Sequence, residues 1–175
     1  MVLTARSAGF VPIVAECRLR ANVDLSPFAT VTSIANPSEQ ELRRIYEEAE
    51  TIAVVGATDD PSKYSRSVPE YLQSQGYRIL PVNGRGGTVL GEPAFRSLLD
   101  VDTPVDVVDV FRPPEDVPEI AEAGAAIGAK VLWLQMGMIS DEARQIAADH
   151  GLIFVEDICM AATHALLGVK PRGES

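Results

Sequence analysis

Thr51-Ile52-Ala53-Val54-Val55-Gly56-Ala57-Thr58 is a short apolar run, rich in β-branched residues, that stops at a glycine. A run this short cannot cross a membrane and predicts a strand buried on both faces, as in the middle of a parallel sheet. Gly56 at its carboxyl end permits a sharp turn and leaves no Cβ in the way of a ligand. The polar stretch over residues 59–67 predicts a loop, and a helix begins after it. Strand, glycine, loop and helix in that order set helix N-terminal amides against a phosphate, so this first crossing is the expected ligand site.

Upstream of this strand, Asn36-Pro37-Ser38 predicts the start of a first helix. Ser38 and Glu41 have capping-box spacing, and Leu42, Ile45, Tyr46 and Ala49 recur at helical intervals. Glu47, Glu48 and Glu50 then face water. Downstream, the next helix is expected to begin at Ser65 or Ser67, with Ser67 and Glu70 again at capping-box spacing and Pro69 in the first turn. Gly76 ends it, residues 77–83 read as the second strand, and 84–87 as a glycine-rich turn. A short strand or loop near 88–90 and a segment over 95–99 complete the first half. Residues 105–111 form a third long strand, closed by Arg112-Pro113-Pro114, with a helix over about 115–127 and Gly128 as its stop. Residues 130–135 are the next strand, Ser140 caps a helix over 141–149, and 152–155 are the last strand. A short helix is expected within 161–167.

This alternation predicts an α/β, doubly wound, mostly parallel sheet of about five strands with helices on both faces. Ligands on such sheets sit beyond the carboxyl ends of the strands, where the strand order reverses. Those ends are Gly56, Val82-Asn83, Phe111-Arg112 and Gln135 to Gly137. The expected organisation is an N-terminal extension over 1–36, a ligand-binding domain over 37–170 and a tail over 171–175.

At 175 residues and 46% hydrophobic, the chain fits one globular domain beside that extension. A formal net charge of −10 argues against nucleic acid as a partner, which needs a basic face, yet leaves room for an anionic small molecule held by a few cations and amides. Cys17 and Cys159 lie far apart and form no metal-ligand pattern, so a reducing cytoplasm is the expected compartment. No run approaches the roughly 18 apolar residues of a spanning helix, so no membrane role is expected. The N-terminal segment lacks the apolar centre of a signal peptide. It is expected to be an extension that is loosely packed, or ordered only against the domain, a partner protein or a second copy of the chain.

Neither G-x-G-x-x-G nor G-x-x-x-x-G-K-[ST] occurs, which disfavours a tight glycine turn around a nicotinamide dinucleotide. The loop after Gly56 offers Ser65, Arg66 and Ser67 near a helix N-terminus instead, a set that suits a pyrophosphate or ribose phosphate. The alternative is that the serines are caps and Arg66 a surface charge. Asn83 and Arg85 end the second strand, where no acid is present for a free ribose 2′-hydroxyl, so Arg85 leans toward a phosphorylated ribose. An ordinary Asn-Gly turn explains them equally well. Phe111, Arg112 and Pro113 present an aromatic face and a cation on a stiff loop. Gln135 and Gly137 suit an amide-rich chain, while Trp133 reads as core. Catalytic candidates are thin. His150 reads as a partner to a helix dipole, His164 as packed, Cys159 as a small buried hydrophobe, and Asp106 and Asp109 do not pair as acid and base.

Taken in order, Ile52-Ala53-Val54-Val55-Gly56, Pro61-Ser62-Lys63-Tyr64-Ser65, residues 76–83, 105–112 and 128–135 resemble the small stand-alone CoA-binding proteins of bacteria and archaea. That family is similar to the Rossmann-like CoA-binding domain of the succinyl-CoA synthetase α subunit. The resemblance implies coenzyme A or an acyl-CoA as ligand, with phosphates near Gly56, Ala57, Thr58 and the loop through Lys63 to Ser67. It places the adenosine end by Val82, Asn83 and Arg85, and Phe111, Arg112 and Pro113 along the crevice. The domain that carries the synthetase's active-site histidine has no counterpart here, so a non-catalytic carrier, sensor or regulatory module is expected. The alternative is an NAD(P)-binding oxidoreductase or redox-sensing domain. Two departures stand out: Gly84-Arg85-Gly86-Gly87 where relatives often place proline after the asparagine, and Ile158-Cys159-Met160 where they often read Arg-Cys-Pro.

Overall fold

The computed structural model of the chain describes residues 36–173, and the expectations for the N-terminal extension lie outside them. Helix α1 (Glu39–Glu48) opens with the reciprocal Ser38–Glu41 capping box that their spacing predicts, and buries Leu42, Ile45 and Tyr46. Strand β1 (Thr51–Val55) is buried at every position, as its unbroken apolar run requires.

Helix α2 (Tyr64–Ser74) starts before either expected serine, and its N-cap, Lys63, makes no side-chain cap bond. Ser67 is no cap: its amide already bonds to the Lys63 carbonyl at 3.2 Å, inside the first turn. Serine and glutamate three apart also occur within helices, so the spacing alone misplaced the boundary. Pro69 sits in the helix body and not in the first turn. A proline there cannot donate to the carbonyl four residues back, which is that of Ser65. The Thr58 amide takes that carbonyl at 3.4 Å, tying the loop to the helix.

Beyond α2 come β2 (Arg78–Val82), a small antiparallel pair β3 (Thr88–Val89) and β4 (Glu92–Pro93), and β5 (Val107–Val110). Then follow α3 (Val117–Ala126), β6 (Val131–Leu134), α4 (Asp141–His150), β7 (Ile153–Val155) and α5 (Met160–Leu167). The expected third strand and third helix are each shorter at both ends. A 3-10 turn over Pro114–Asp116 occupies the start expected for α3. Ser140 caps α4 as its spacing predicts, and Gly151 ends it at φ 73°.

The main sheet runs β2-β1-β5-β6-β7 and every pairing is parallel. The chain leaves β1 for β2 on one side and returns to β5 on the other, so the order reverses between β1 and β5. This is the α/β, Rossmann-like doubly wound architecture read from the sequence. Side chains alternate across it. Ile52, Val54, Val107, Val131 and Trp133 pack with residues of α1, α2 and α5. Ala53, Val55, Val108, Val110, Leu132 and Leu134 pack with residues of α3 and α4 on the other face.

At the amino end of the sheet Asp106 acts as a clasp. Its Oδ2 accepts the Glu50 and Thr51 amides at 2.9 and 3.0 Å, and its Oδ1 meets Lys130 Nζ at 2.7 Å. Burial pushes this carboxyl up, but the bonds from Lys130, Glu50 and Thr51 outweigh it and hold the group below the usual aspartate range. Asp106→Ala is expected to cost about 1–3 kcal/mol in urea unfolding at pH 7. Because the folded-state value is depressed, the aspartate's contribution is whole above the unfolded value of ~3.9. It is lost as pH falls through the folded one, so the two unfolding curves converge in acid.

Two of the assigned ends are tied in. Asn36 exchanges hydrogen bonds with the Glu156 backbone at 2.8 and 2.9 Å. Arg172, in the expected tail, donates its amide to the Gln75 carbonyl at 2.8 Å and lays its guanidinium over Tyr77.

Candidate functional site

Gly56 adopts φ +95°, and a Cβ built on it would lie 2.7 Å from the Phe111 carbonyl oxygen. Strand neighbours clasp this point from both sides: the Gly56 amide donates to Val82 O and the Phe111 amide to Val55 O, each at 2.8 Å. The close approach that the sequence assigned to a ligand is made by the end of β5. Glycine is needed there, for a neighbouring backbone.

The loop from Ala57 to Lys63 is folded by its own polar groups. Thr58 Oγ1 accepts the Asp60 amide at 3.2 Å. Asp60 Oδ1 accepts the Ser62 hydroxyl at 2.7 Å and amide at 3.0 Å, which hold the Asp60 carboxyl below its ordinary range. Lys63 stands 3.8 Å from Asp60, and Arg66 bonds Asp59 at 3.0 Å and Glu70 at 3.1 Å. Both nominated cations of this loop therefore have carboxylate partners. Asp59 Oδ1 also accepts the Leu90 amide at 3.0 Å, fastening the β3–β4 hairpin to the loop. The Ser65 side chain is buried. What α2 presents outward is its first turn: the Tyr64 and Ser65 amides have no hydrogen-bond partner among the described residues.

At the end of β2, Asn83 is a staple. Its Nδ2 donates to Ala57 O at 3.4 Å and its Oδ1 accepts the Arg85 amide at 3.0 Å. Val82 forms a bridge to Phe95, and the Asn83 amide donates to Phe95 O at 2.9 Å. That bridge brings Arg96 back across the turn: its Nε lies 3.5 Å from where a Gly86 Cβ would stand. Arg85 and Arg96 are both exposed, and neither has a carboxylate partner among the described residues. Arg96 is absent from the sequence-derived set because only a long-range pairing returns it to this turn.

Arg112 binds Asp116 Oδ2 through both Nε and a terminal nitrogen, at 2.9 and 2.7 Å, and Pro113 leads into the 3-10 turn. Gln135 turns inward: Nε2 donates to Asp109 Oδ1 at 2.6 Å and Oε1 accepts the Met160 amide at 3.3 Å. The Gly137 amide is taken by Asp157 Oδ1 at 2.6 Å. Asp157 itself holds φ 56°, a conformation aspartate tolerates. Contacts thus join Gly56, Ala57, Thr58, Ser65, Val82, Asn83 and Phe111 into one cluster, while Gln135 and Gly137 belong to a second. Tyr64, at the start of α2, and Met136 and Ile139, on the loop after β6, stand exposed, 81%, 68% and 61% open to solvent.

His164 is buried, with Nδ1 3.1 Å from the Tyr71 hydroxyl and its ring edge-on to Tyr46, Tyr71 and Tyr77. Burial lowers its pKa. It is a packed histidine, as its place in the last helix predicts. Cys159 is only half-buried and forms the N-cap of α5, where the sequence reading had a buried hydrophobe. His150 meets Glu122 at 3.5 Å at the end of α4. Among the described residues no cluster of His, Cys, Asp or Glu is arranged to hold a metal ion, and no helix is long and apolar enough to cross a membrane.

The sequence model of the CoA-binding domain matches residues 50–165. An uncharacterised protein of Bacillus subtilis, YneT, is 38% identical over 75% of this chain and 97% of its own length. The α subunit of an ADP-forming acetate–CoA ligase of Pyrococcus furiosus is 29% identical over 66% of this chain, a match to only 28% of that subunit. Among solved structures, a Thermus thermophilus protein is 42% identical with a TM-score of 0.72, covering 75% of this chain and 99% of that one. A hypothetical protein of Pyrococcus horikoshii is 34% identical with a TM-score of 0.74, covering 78% and 94%.

Proposed function

From the premise that this chain belongs to the CoA-binding domain family, we propose that it binds coenzyme A or an acyl-CoA as a non-catalytic carrier or sensor. The observation that carries the reading is the first turn of α2. It stands at the switch point between β1 and β5, has no side-chain cap, and leaves the Tyr64 and Ser65 amides without partners among the described residues. Amides so placed, at the positive end of a helix dipole, suit a pyrophosphate. Arg85 and Arg96, without carboxylate partners, supply charge for a phosphomonoester on the ribose. Tyr64, Met136 and Ile139 offer apolar surface to the rest of the ligand. Arg66 and Lys63 act on the loop's shape through Asp59, Glu70 and Asp60. The described residues present no nucleophile, base and orienting group together, which is why binding without catalysis is the reading.

Thermal unfolding of the full chain with CoA, acetyl-CoA, dephospho-CoA, NAD and NADP tests this. A ligand at 100 times its dissociation constant stabilises by roughly 2.7 kcal/mol, which is readily measured. CoA and acetyl-CoA are expected to raise the midpoint and NAD to leave it unchanged. A shift with NAD or NADP and none with CoA would replace this reading with a dinucleotide one.

A further inference from the structure

Asp109 is fully buried in β5, and nothing in the proposed ligand contacts uses it. Its two oxygens have different surroundings. Oδ1 accepts Gln135 Nε2, and Gln135 Oε1 in turn accepts the Met160 amide, the first residue of α5. Oδ2 has no partner. A continuous chain of hydrogen bonds therefore runs from β5 through Gln135, just past β6, to α5, and it ends in a buried oxygen that nothing among the described residues satisfies. We propose that Asp109 is a positioning residue that seats the first turn of α5 against the carboxyl end of β6 in its neutral form, and that its ionisation unseats that turn.

The surroundings favour the neutral form. Burial raises the Asp109 carboxyl to about 7, against the opposing bonds from Gln135 and the Val110 amide. The titratable group that couples to it is Tyr46 from α1, and Tyr77, Cys159 and His164 stand in turn around Tyr46. Tyr46 is pushed far up, by burial first and by Asp109 second, and stays neutral. Burial keeps His164 neutral above its lowered pKa. No arginine or lysine among the described residues bonds to Asp109. An anion here has too few donors for its four lone-pair directions, and opening the nearest movable element to water is the available relief. That element is α5, eight residues long, whose cap residue Cys159 is already half-buried only. Trp133 Nε1 donates to Ile158 O at 2.8 Å just before the helix, so the same opening would loosen the indole bond.

The inference concerns the chain without ligand, so it stands or falls separately from the CoA reading. Amide hydrogen exchange followed by NMR from pH 5.5 to 8.5, corrected for the intrinsic pH dependence, reads it at Met160 and the Trp133 indole. Protection at these two sites is expected to fall about tenfold or more as pH rises through about 7, while Leu132 in β6 keeps its protection. Asp109→Asn keeps shape and removes the titration, so its protection should not change with pH. Constant protection in the wild type, or the same fall in the variant, overturns the proposal. Should the variant not fold, the carbon-13 shift of the wild-type Asp109 carboxyl decides: a midpoint near 7 supports the proposal and one near 4 overturns it.

Discussion

Gly56→Ala is expected to lower the stability of the chain by roughly 3–5 kcal/mol. Two costs combine. At φ +95° an alanine is strained by the backbone alone, at about 1–3 kcal/mol. The new Cβ would also lie 2.7 Å from the Phe111 carbonyl oxygen and 3.1 Å from its carbon. That obstacle is backbone, and it cannot step aside: the Phe111 amide bonds Val55 O, and β5 is paired with β1 and β6 on its two sides. Overpacking of this kind adds about 1–3 kcal/mol. Against a domain stability of roughly 5–15 kcal/mol, this variant is at the edge of folding. Urea unfolding at 25 °C measures it. Gly84→Ala is the control, since no heavy atom lies within 4 Å of its Cβ position and its φ is not positive, and it should change stability by no more than about 0.5 kcal/mol. A loss at Gly56 as small as the control's would mean that the ends of β1 and β5 part easily.

What the sequence shows and what it hides divide along one physical line. Features set by neighbours in the chain were legible. Unbroken β-branched runs marked the buried strands, and their alternation with helices marked the parallel sheet. The Ser38–Glu41 and Ser140 caps and the Gly151 stop are local too, and each holds. The α2 start failed because its cap is not a serine: the chain leaves that turn open, so the usual signal was missing where the expected site lies. Partnerships across the fold were not legible. Arg66, Arg112 and Lys63 read as free cations, yet Asp59, Glu70, Asp116 and Asp60 claim them. Gln135 and Gly137 read as ligand groups, and Asp109 and Asp157, distant in sequence, take their hydrogens. A spacing of 26 residues between Gln135 and Asp109 carries no periodic signal. The same blindness hid Arg96, which only the Val82–Phe95 bridge returns to the turn at Arg85.

That pair of arginines gives the second large effect. With a net charge of −10 the chain repels an anion at long range, so binding has to rest on local charge without internal partners. Arg85 and Arg96 answer that need at the end of β2, since every other nominated cation is already paired. A charge-assisted hydrogen bond is worth about 1.5–3 kcal/mol, or roughly 10- to 150-fold in affinity. Replacing both with alanine is therefore expected to weaken CoA by about 100-fold or more in calorimetric titration at low salt. Dephospho-CoA, which lacks the ribose phosphomonoester, should change by less than about threefold, so the preference for CoA collapses toward one. Raising salt should shrink the wild-type preference as well, because exposed charges are screened within about 8–10 Å at 0.1–0.15 M. Equal losses for the two ligands would assign the pair to the pyrophosphate and leave the α2 amides without their proposed role. No loss for either would move the anion away from β2 altogether, and the uncapped first turn of α2 would then have to hold the ligand's charge alone.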